Sequence, residues 1–120
     1  MSKKVFIFDD NKDILDLCTL ILEGAGYETK TSSTSNDIIA QVSVYEPDII
    51  LMDNWLPDVG GIEATQELKR HPVYKEIPVI YFSANNDIKT LAATAGAERY
   101  LPKPFDIDEL EGMVVSLIGR

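Results

Sequence analysis

The stretch that decides the fold reads Ile49-Ile50-Leu51-Met52-Asp53. Four consecutive apolar residues that run into a turn are typical of a strand buried on both faces of a sheet. In a parallel sheet covered by helices, such a strand ends at the carboxyl edge, where ligands bind. The stretch therefore predicts that Asp53 lies at the rim of a crevice, although by itself it leaves open that Asp53 only starts a turn.

The rest of the chain alternates short apolar runs with segments of helical periodicity. We predict strands over residues 5–8, 27–31, 49–53, 78–82 and 99–102. We predict helices over residues 12–23, around 38–42, over 61–70 and 87–95, and after a capping box formed by Asp106 and Glu109. Five strands that each precede a helix imply a doubly wound α/β domain with a parallel sheet and helices on both faces.

The length and composition of the chain limit the kinds of function that the protein can have. The chain has 120 residues, which is typical of one domain over residues 1–120. Its net charge of −9 disfavours direct nucleic-acid binding, because phosphate contacts require basic side chains. The single cysteine, Cys18, excludes an internal disulfide and fits a reducing cytoplasm. There is no signal peptide and no apolar run of membrane-spanning length, so we expect a cytoplasmic protein without a membrane anchor.

Polar side chains stand where four of the predicted strands end. They are Asp9 and Asp10, Asp53, Ser83 and Lys103. Since parallel strands share one carboxyl edge, we expect these residues in one crevice. Clustered carboxylates repel unless a cation neutralises them, and Mg²⁺ suits oxygen ligands and bridges carboxylates to phosphate. Each residue alone has an ordinary interpretation, as a helix-start acid, a turn serine or a solvated lysine. Their coincidence favours a site in which Asp53 attacks phosphorus.

These motifs together resemble a response-regulator receiver domain of the two-component phosphorelay family, of the chemotaxis-regulator type. The motifs are Phe8-Asp9-Asp10, Leu51-Met52-Asp53 with Pro57 and Gly61 downstream, Phe82-Ser83-Ala84, and Lys103-Pro104-Phe105. The resemblance covers nearly the whole chain. It implies a flavodoxin-like (βα)5 fold with a five-stranded sheet in the order 2-1-3-4-5.

The resemblance also implies the roles of the acidic residues. Asp53 matches the phospho-acceptor, and Asp9 and Asp10 match the acid pair that positions Mg²⁺. Trp55 matches the position whose backbone carbonyl completes the metal site. One departure is Asn54, which stands where an apolar residue usually follows the acceptor, and a second is Gly60, which replaces an acid or asparagine.

The remaining family positions concern the switch. Ser83 matches the hydroxyl that turns toward the phosphoryl group, and Lys103 matches the lysine that pairs with it. Tyr100 matches the aromatic switch residue, with an ordinary half-buried strand tyrosine as the alternative. The resemblance further implies a cis peptide bond between Lys103 and Pro104. Phosphorylation would then alter the face formed by the fourth helix, the fifth strand and the last helix.

The function predicted from the sequence is that of a Mg²⁺-dependent phospho-acceptor in signalling, which catalyses only its own phosphorylation and dephosphorylation. Its partners would be a sensor histidine kinase or phosphotransfer protein and a downstream output protein or domain, and homodimerisation stays open. The chain would be a single-domain regulator or a piece of a longer response regulator or hybrid kinase. One alternative is an aspartyl phosphohydrolase of the haloacid-dehalogenase type, but Trp55 stands where that family needs a second aspartate. The other is an interaction module that works without phosphorylation.

Overall fold

The computed structural model describes residues 2–56 and 60–120. Its sheet has five parallel strands in the order β2-β1-β3-β4-β5, as predicted. The strands are β1 (Lys4–Phe8), β2 (Glu28–Ser32), β3 (Ile49–Asp53), β4 (Val79–Ser83) and β5 (Arg99–Pro102). The helices are α1 (Lys12–Gly24), α2 (Ile38–Tyr45), α3 (Gly61–Arg70), α4 (Ile88–Ala95) and α5 (Ile107–Ile118). The prediction of a doubly wound α/β fold is therefore confirmed.

Strand β3 is central, and all five of its residues are buried. Successive side chains of a strand point to opposite faces, so β3 contributes to two separate cores. Leu51 belongs to the core that α1 and α5 cover, whereas Ile50 and Met52 belong to the core that α2, α3 and α4 cover. Burial of each such side chain stabilises the fold by about 1.5–3 kcal/mol. This burial on both faces explains the unbroken apolar run of the sequence.

Strand β2 lies at one edge of the sheet, and its residues are polar and none of them is buried. It begins at Glu28, one residue later than predicted, because the backbone N–H of the buried Tyr27 bonds to the carbonyl of Leu22 in α1, whereas the N–H of Glu28 bonds to the carbonyl of Lys3. The Tyr27 hydroxyl donates a hydrogen bond to the carbonyl oxygen of Gly119 at 2.5 Å. Strand β4 likewise starts at Val79, after the predicted first residue, Pro78.

The helix ends follow their capping residues. Asn11 caps α1 by accepting hydrogen bonds from the backbone N–H groups of Asp13 and Ile14. At α5, the Asp106 carboxylate accepts from the N–H of Glu109, and the Glu109 side chain accepts from the N–H of Asp106. This capping box is the one predicted from the sequence. Within the described ranges, no helix combines the length and apolar character needed to cross a bilayer.

Candidate functional site

The carboxyl ends of β1, β3 and β5 bring three charged side chains into direct contact. The Lys103 ammonium donates one hydrogen bond to Asp9 Oδ2 and another to Asp53 Oδ1, each at 2.8 Å. The register explains the meeting, since Phe8 pairs with Met52, and Asp9 and Asp53 occupy the next rung. Lys103 follows β5, and its backbone N–H bonds to the carbonyl of Ser83 at 2.9 Å. The convergence predicted from four strand ends is therefore present for these residues.

Asp53 is held at both carboxylate oxygens. Its Oδ1 accepts from Lys103, and its Oδ2 accepts from the backbone N–H of Trp55 at 3.1 Å. The residue is 3% exposed. A carboxylate with two fixed donors at the end of a rigid strand has a defined orientation toward the solvent-facing edge.

Two carboxylates, those of Asp9 and Asp53, share the single ammonium group of Lys103. Burial raises the pKa of Asp53; the Lys103 hydrogen bond opposes this effect, and the neighbouring Asp9 charge adds to it. Burial lowers the pKa of Lys103, but the hydrogen bonds and charges of Asp53 and Asp9 outweigh it and raise the pKa overall. With both carboxylates ionised, the group has a net negative charge. Such a site favours the binding of a further cation.

The donor chemistry around Asp53 fits a hard divalent cation. Carboxylate oxygens of Asp9, Asp10 and Asp53 all lie within 4.8 Å of one another. Asp9 and Asp53 are buried, whereas Asp10 is exposed at the mouth of the site. Oxygen ligands that combine buried and solvent-facing carboxylates suit Mg²⁺, which keeps several of its waters. These three residues could therefore bind a metal ion.

Ser83 and Tyr100, the predicted switch pair, have contrasting environments. Ser83 is 1% exposed, and its Oγ accepts a hydrogen bond from the backbone N–H of Asn85 at 3.0 Å. Tyr100 is 38% exposed on β5. The Lys103–Pro104 peptide bond is cis. The Lys103 ammonium also lies 4.6 Å from the centre of the Phe82 ring, which supports its position beneath the carboxylates.

The region after Asp53 is crowded in a way that sequence reasoning missed. A Cβ atom placed on Gly61 would lie 2.0 Å from the carbonyl oxygen of Asp53. The N-terminus of α3 therefore packs directly against the backbone at the end of β3. Trp55, two residues after Asp53, is 71% exposed. Pro57, part of the motif in the sequence, lies outside the described residues.

A family profile for the response regulator receiver domain matches residues 5–115. The chain belongs to the response regulator receiver family. This receiver is 32% identical, over 98% of its length, to the CAI-1 autoinducer sensor kinase/phosphatase CqsS of Vibrio cholerae, of which it covers 18%. The chain spans from about a fifth to about half the length of the curated relatives it matches.

Two solved structures resemble the receiver over its full length. A putative response regulator from Chloroflexus aurantiacus superposes with a TM-score of 0.93 at 30% identity, with 100% of each chain covered. The receiver domain of a sensor histidine kinase from Pseudomonas aeruginosa gives a TM-score of 0.90 at 26% identity, again over 100% of both chains. That second structure has a magnesium ion coordinated in its active-site cleft. The receiver is thus homologous to domains that serve two-component signalling in both response regulators and histidine kinases.

Proposed function

We propose that this receiver accepts a phosphoryl group on Asp53 from a phosphohistidine of a sensor kinase or phosphotransfer protein. The observation that carries the proposal is the double restraint of the Asp53 carboxylate by Lys103 and the Trp55 N–H, next to Asp9 and Asp10. A carboxylate held in one orientation at an open edge is suited to in-line attack on phosphorus.

In the transfer step, one oxygen of the Asp53 carboxylate forms a bond to phosphorus. The bond from phosphorus to the histidine nitrogen breaks, and its electron pair stays on the imidazole, which takes up a proton. Lys103 lies within 2.8 Å of Asp53 and is placed to pair with a phosphoryl oxygen after transfer. Ser83 would supply a hydroxyl to a second oxygen once it leaves Asn85. Hydrolysis by water then returns the carboxylate and releases inorganic phosphate.

Mg²⁺ would be held by Asp9, Asp10, Asp53 and, by resemblance, the Trp55 backbone carbonyl. When bound, it supplies positive charge that offsets the repulsion between the carboxylates and the incoming phosphoryl oxygens. The net negative charge that Lys103 leaves on the two buried carboxylates supports this requirement.

Signal output would come from the face formed by α4, β5 and α5. Movement of Ser83 toward the phosphoryl group would free space beside β4, and the half-exposed Tyr100 would swing inward. A downstream protein or domain would then read the altered face. We place these partners and the receiver in the cytoplasm. The receiver would catalyse only its own phosphorylation and dephosphorylation, and would not turn over external substrates.

The test is to follow the intact mass of the protein during incubation with acetyl phosphate, with and without Mg²⁺. We expect one labile phosphoryl adduct that requires Mg²⁺ and is absent from Asp53→Asn. Trp55 fluorescence should respond to Mg²⁺ alone, because the backbone N–H of Trp55 bonds directly to Asp53. Absence of both the adduct and the metal response would refute phospho-acceptance and favour an interaction module. Turnover of small phosphoesters would instead favour a phosphohydrolase.

A further inference from the structure

We propose that Tyr81 and Asn54 form a positioning pair, in which the tyrosine hydroxyl holds the Asn54 side chain and thereby aligns the backbone that orients Asp53. This inference rests on the proposed function, since its consequence is the rate at which Asp53 accepts a phosphoryl group. Neither residue touches the reacting atoms, so both would act through Asp53 and Trp55.

Tyr81 places a polar hydroxyl group in an otherwise apolar core. It lies in the middle of β4, is fully buried, and belongs to the apolar core under α2, α3 and α4. A buried phenol needs a hydrogen-bond partner, and its hydroxyl donates to Asn54 Oδ1. Burial, and behind it the charge of Asp53, raises the pKa of the Tyr81 phenol. The group therefore remains a neutral donor over the working pH range.

Asn54 is anchored at three points. Its backbone N–H donates to the carbonyl of Phe82 at 3.3 Å, and its own carbonyl accepts from the N–H of Gly61 at 3.3 Å. Its side chain is the acceptor for Tyr81. The side-chain bond from Tyr81 therefore adds a third restraint to the two backbone bonds of this residue. The pair thus restrains the backbone where β3 ends.

The restraint reaches the acceptor through one peptide unit. Asn54 lies between Asp53 and Trp55, and the Trp55 N–H donates to Asp53 Oδ2 at 3.1 Å. Rotation of the peptide between residues 54 and 55 would lengthen or break this bond. It would also turn the Asn54 carbonyl, which belongs to the same peptide unit, away from the Gly61 N–H. Asp53 would then keep only its Lys103 contact and sample more orientations.

A purely structural role is the competing explanation. The bond would then serve only to satisfy a buried hydroxyl, and its loss would lower stability without changing the site. The two explanations predict different labelling rates for variant molecules that are still folded: a positioning role predicts a lower rate, and a purely structural role predicts the wild-type rate. They also differ in whether the two residues act as one unit.

The experiment measures the rate of acetyl phosphate labelling and the Mg²⁺ affinity from Trp55 fluorescence. It compares wild type, Tyr81→Phe, Asn54→Leu and the double variant. All measurements are made without urea, under conditions in which each protein is folded. We expect about a fivefold to tenfold lower labelling rate, and weaker Mg²⁺ binding, for each single variant. The double variant should be no slower than either single one, because both substitutions remove the same bond. Independent roles would instead multiply to about 25-fold to 100-fold.

Tyr27→Phe is the matched control. It removes a hydroxyl-to-carbonyl bond of another buried tyrosine, which lies just before β2, an edge strand on the other side of β3 from β4. It should lower the urea midpoint without changing labelling or Mg²⁺ affinity.

The outcomes separate this inference from the function on which it rests. A Tyr81→Phe protein with the labelling rate and Mg²⁺ affinity of wild type would overturn the positioning role. A double variant whose rate loss is the product of the two single losses would also overturn it. If a single variant does not fold, the double variant alone tests the proposal, because it leaves neither partner of the bond unpaired. A wild-type labelling rate in the double variant would refute the positioning role of Tyr81 and Asn54. Absence of labelling in wild type itself would instead refute phospho-acceptance.

Discussion

Replacing Gly61 with alanine tests how closely α3 packs against the end of β3. The new Cβ would lie 2.0 Å from the carbonyl oxygen of Asp53 and 3.0 Å from its carbonyl carbon. Real Cβ contacts essentially never fall below 3.0 Å, so the two backbones must separate by about 1 Å. Neither atom belongs to a flexible side chain, so rotamer changes cannot relieve the clash.

The expected effects are large on both stability and chemistry. Overpacking of this kind costs about 1–3 kcal/mol, and we expect the upper end because backbone must move against backbone. A displacement of about 1 Å at the acceptor can lower a transfer rate by about 100-fold. Labelling of Asp53 by acetyl phosphate in Mg²⁺ should therefore slow more than the loss of folded protein explains.

Gly112→Ala is the matched control. Gly112 lies inside α5, and among the described residues no heavy atom comes within 4 Å of a Cβ placed there. Alanine should stabilise that helix by about 0.5–1 kcal/mol and leave labelling unchanged. Urea denaturation measures both variants. A Gly61→Ala protein with wild-type midpoint and labelling rate would refute the argument that α3 sets the position of Asp53.

Three further predictions concern single groups. Cys18 is fully buried, and burial raises its pKa to about 12, with the Asp9 charge adding to the shift. Its thiol should not react with a disulfide reagent at pH 8 until the protein unfolds. Because the unfolded thiol ionises near pH 9 while the folded one stays neutral, this group should lower the free energy of unfolding by about 1.4 kcal/mol per pH unit from pH 9 to 12. The difference in urea midpoints between wild type and Cys18→Ala measures this effect, and a pH-independent difference would contradict the burial of the thiol. Lys103→Met leaves two buried carboxylates facing each other, so it should cost about 3 kcal/mol at pH 7, and added Mg²⁺ should raise its melting temperature more than that of wild type. An equal increase in the melting temperatures of both proteins on addition of Mg²⁺ would count against a site in which Mg²⁺ and Lys103 neutralise the same carboxylates. Asp106→Ala removes the capping box of α5 and should cost about 1 kcal/mol, whereas Asp87→Ala, at a helix start without a side-chain cap bond, should cost less; equal urea midpoints would contradict the cap.

The elements were predictable because their signals are local. The apolar run at β3, the helical spacing in α1 and the capping box at Asp106 each depend on a few neighbouring residues. The differences from the prediction are also local, since β2 and β4 each begin one residue later than predicted. Within α1, Leu17 has the helical spacing of the apolar residues but is 41% exposed. Periodicity indicates a face but does not define where that face ends.

The site was predictable to the extent that it follows from topology. Once a parallel sheet is inferred, the ends of β1, β3, β4 and β5 must share one edge, so Asp9, Asp53 and Lys103 had to be near one another. The resemblance to receivers assigned roles that the residue types alone left open. Distances, the sharing of Lys103 between two carboxylates, and the exposure of Asp10 depended on the folded chain.

The sequence by itself determined the alternation of strands and helices, the acceptor candidate and the acidic cluster, because these depend on local patterns and on the shared edge of parallel strands. Only the tertiary structure decided that Tyr81 bonds to Asn54 and that Gly61 contacts the Asp53 carbonyl. The physical reason is that such contacts depend on strand register and helix docking to within about 1 Å. No periodic pattern of residues specifies which side chains meet across 27 positions of the chain.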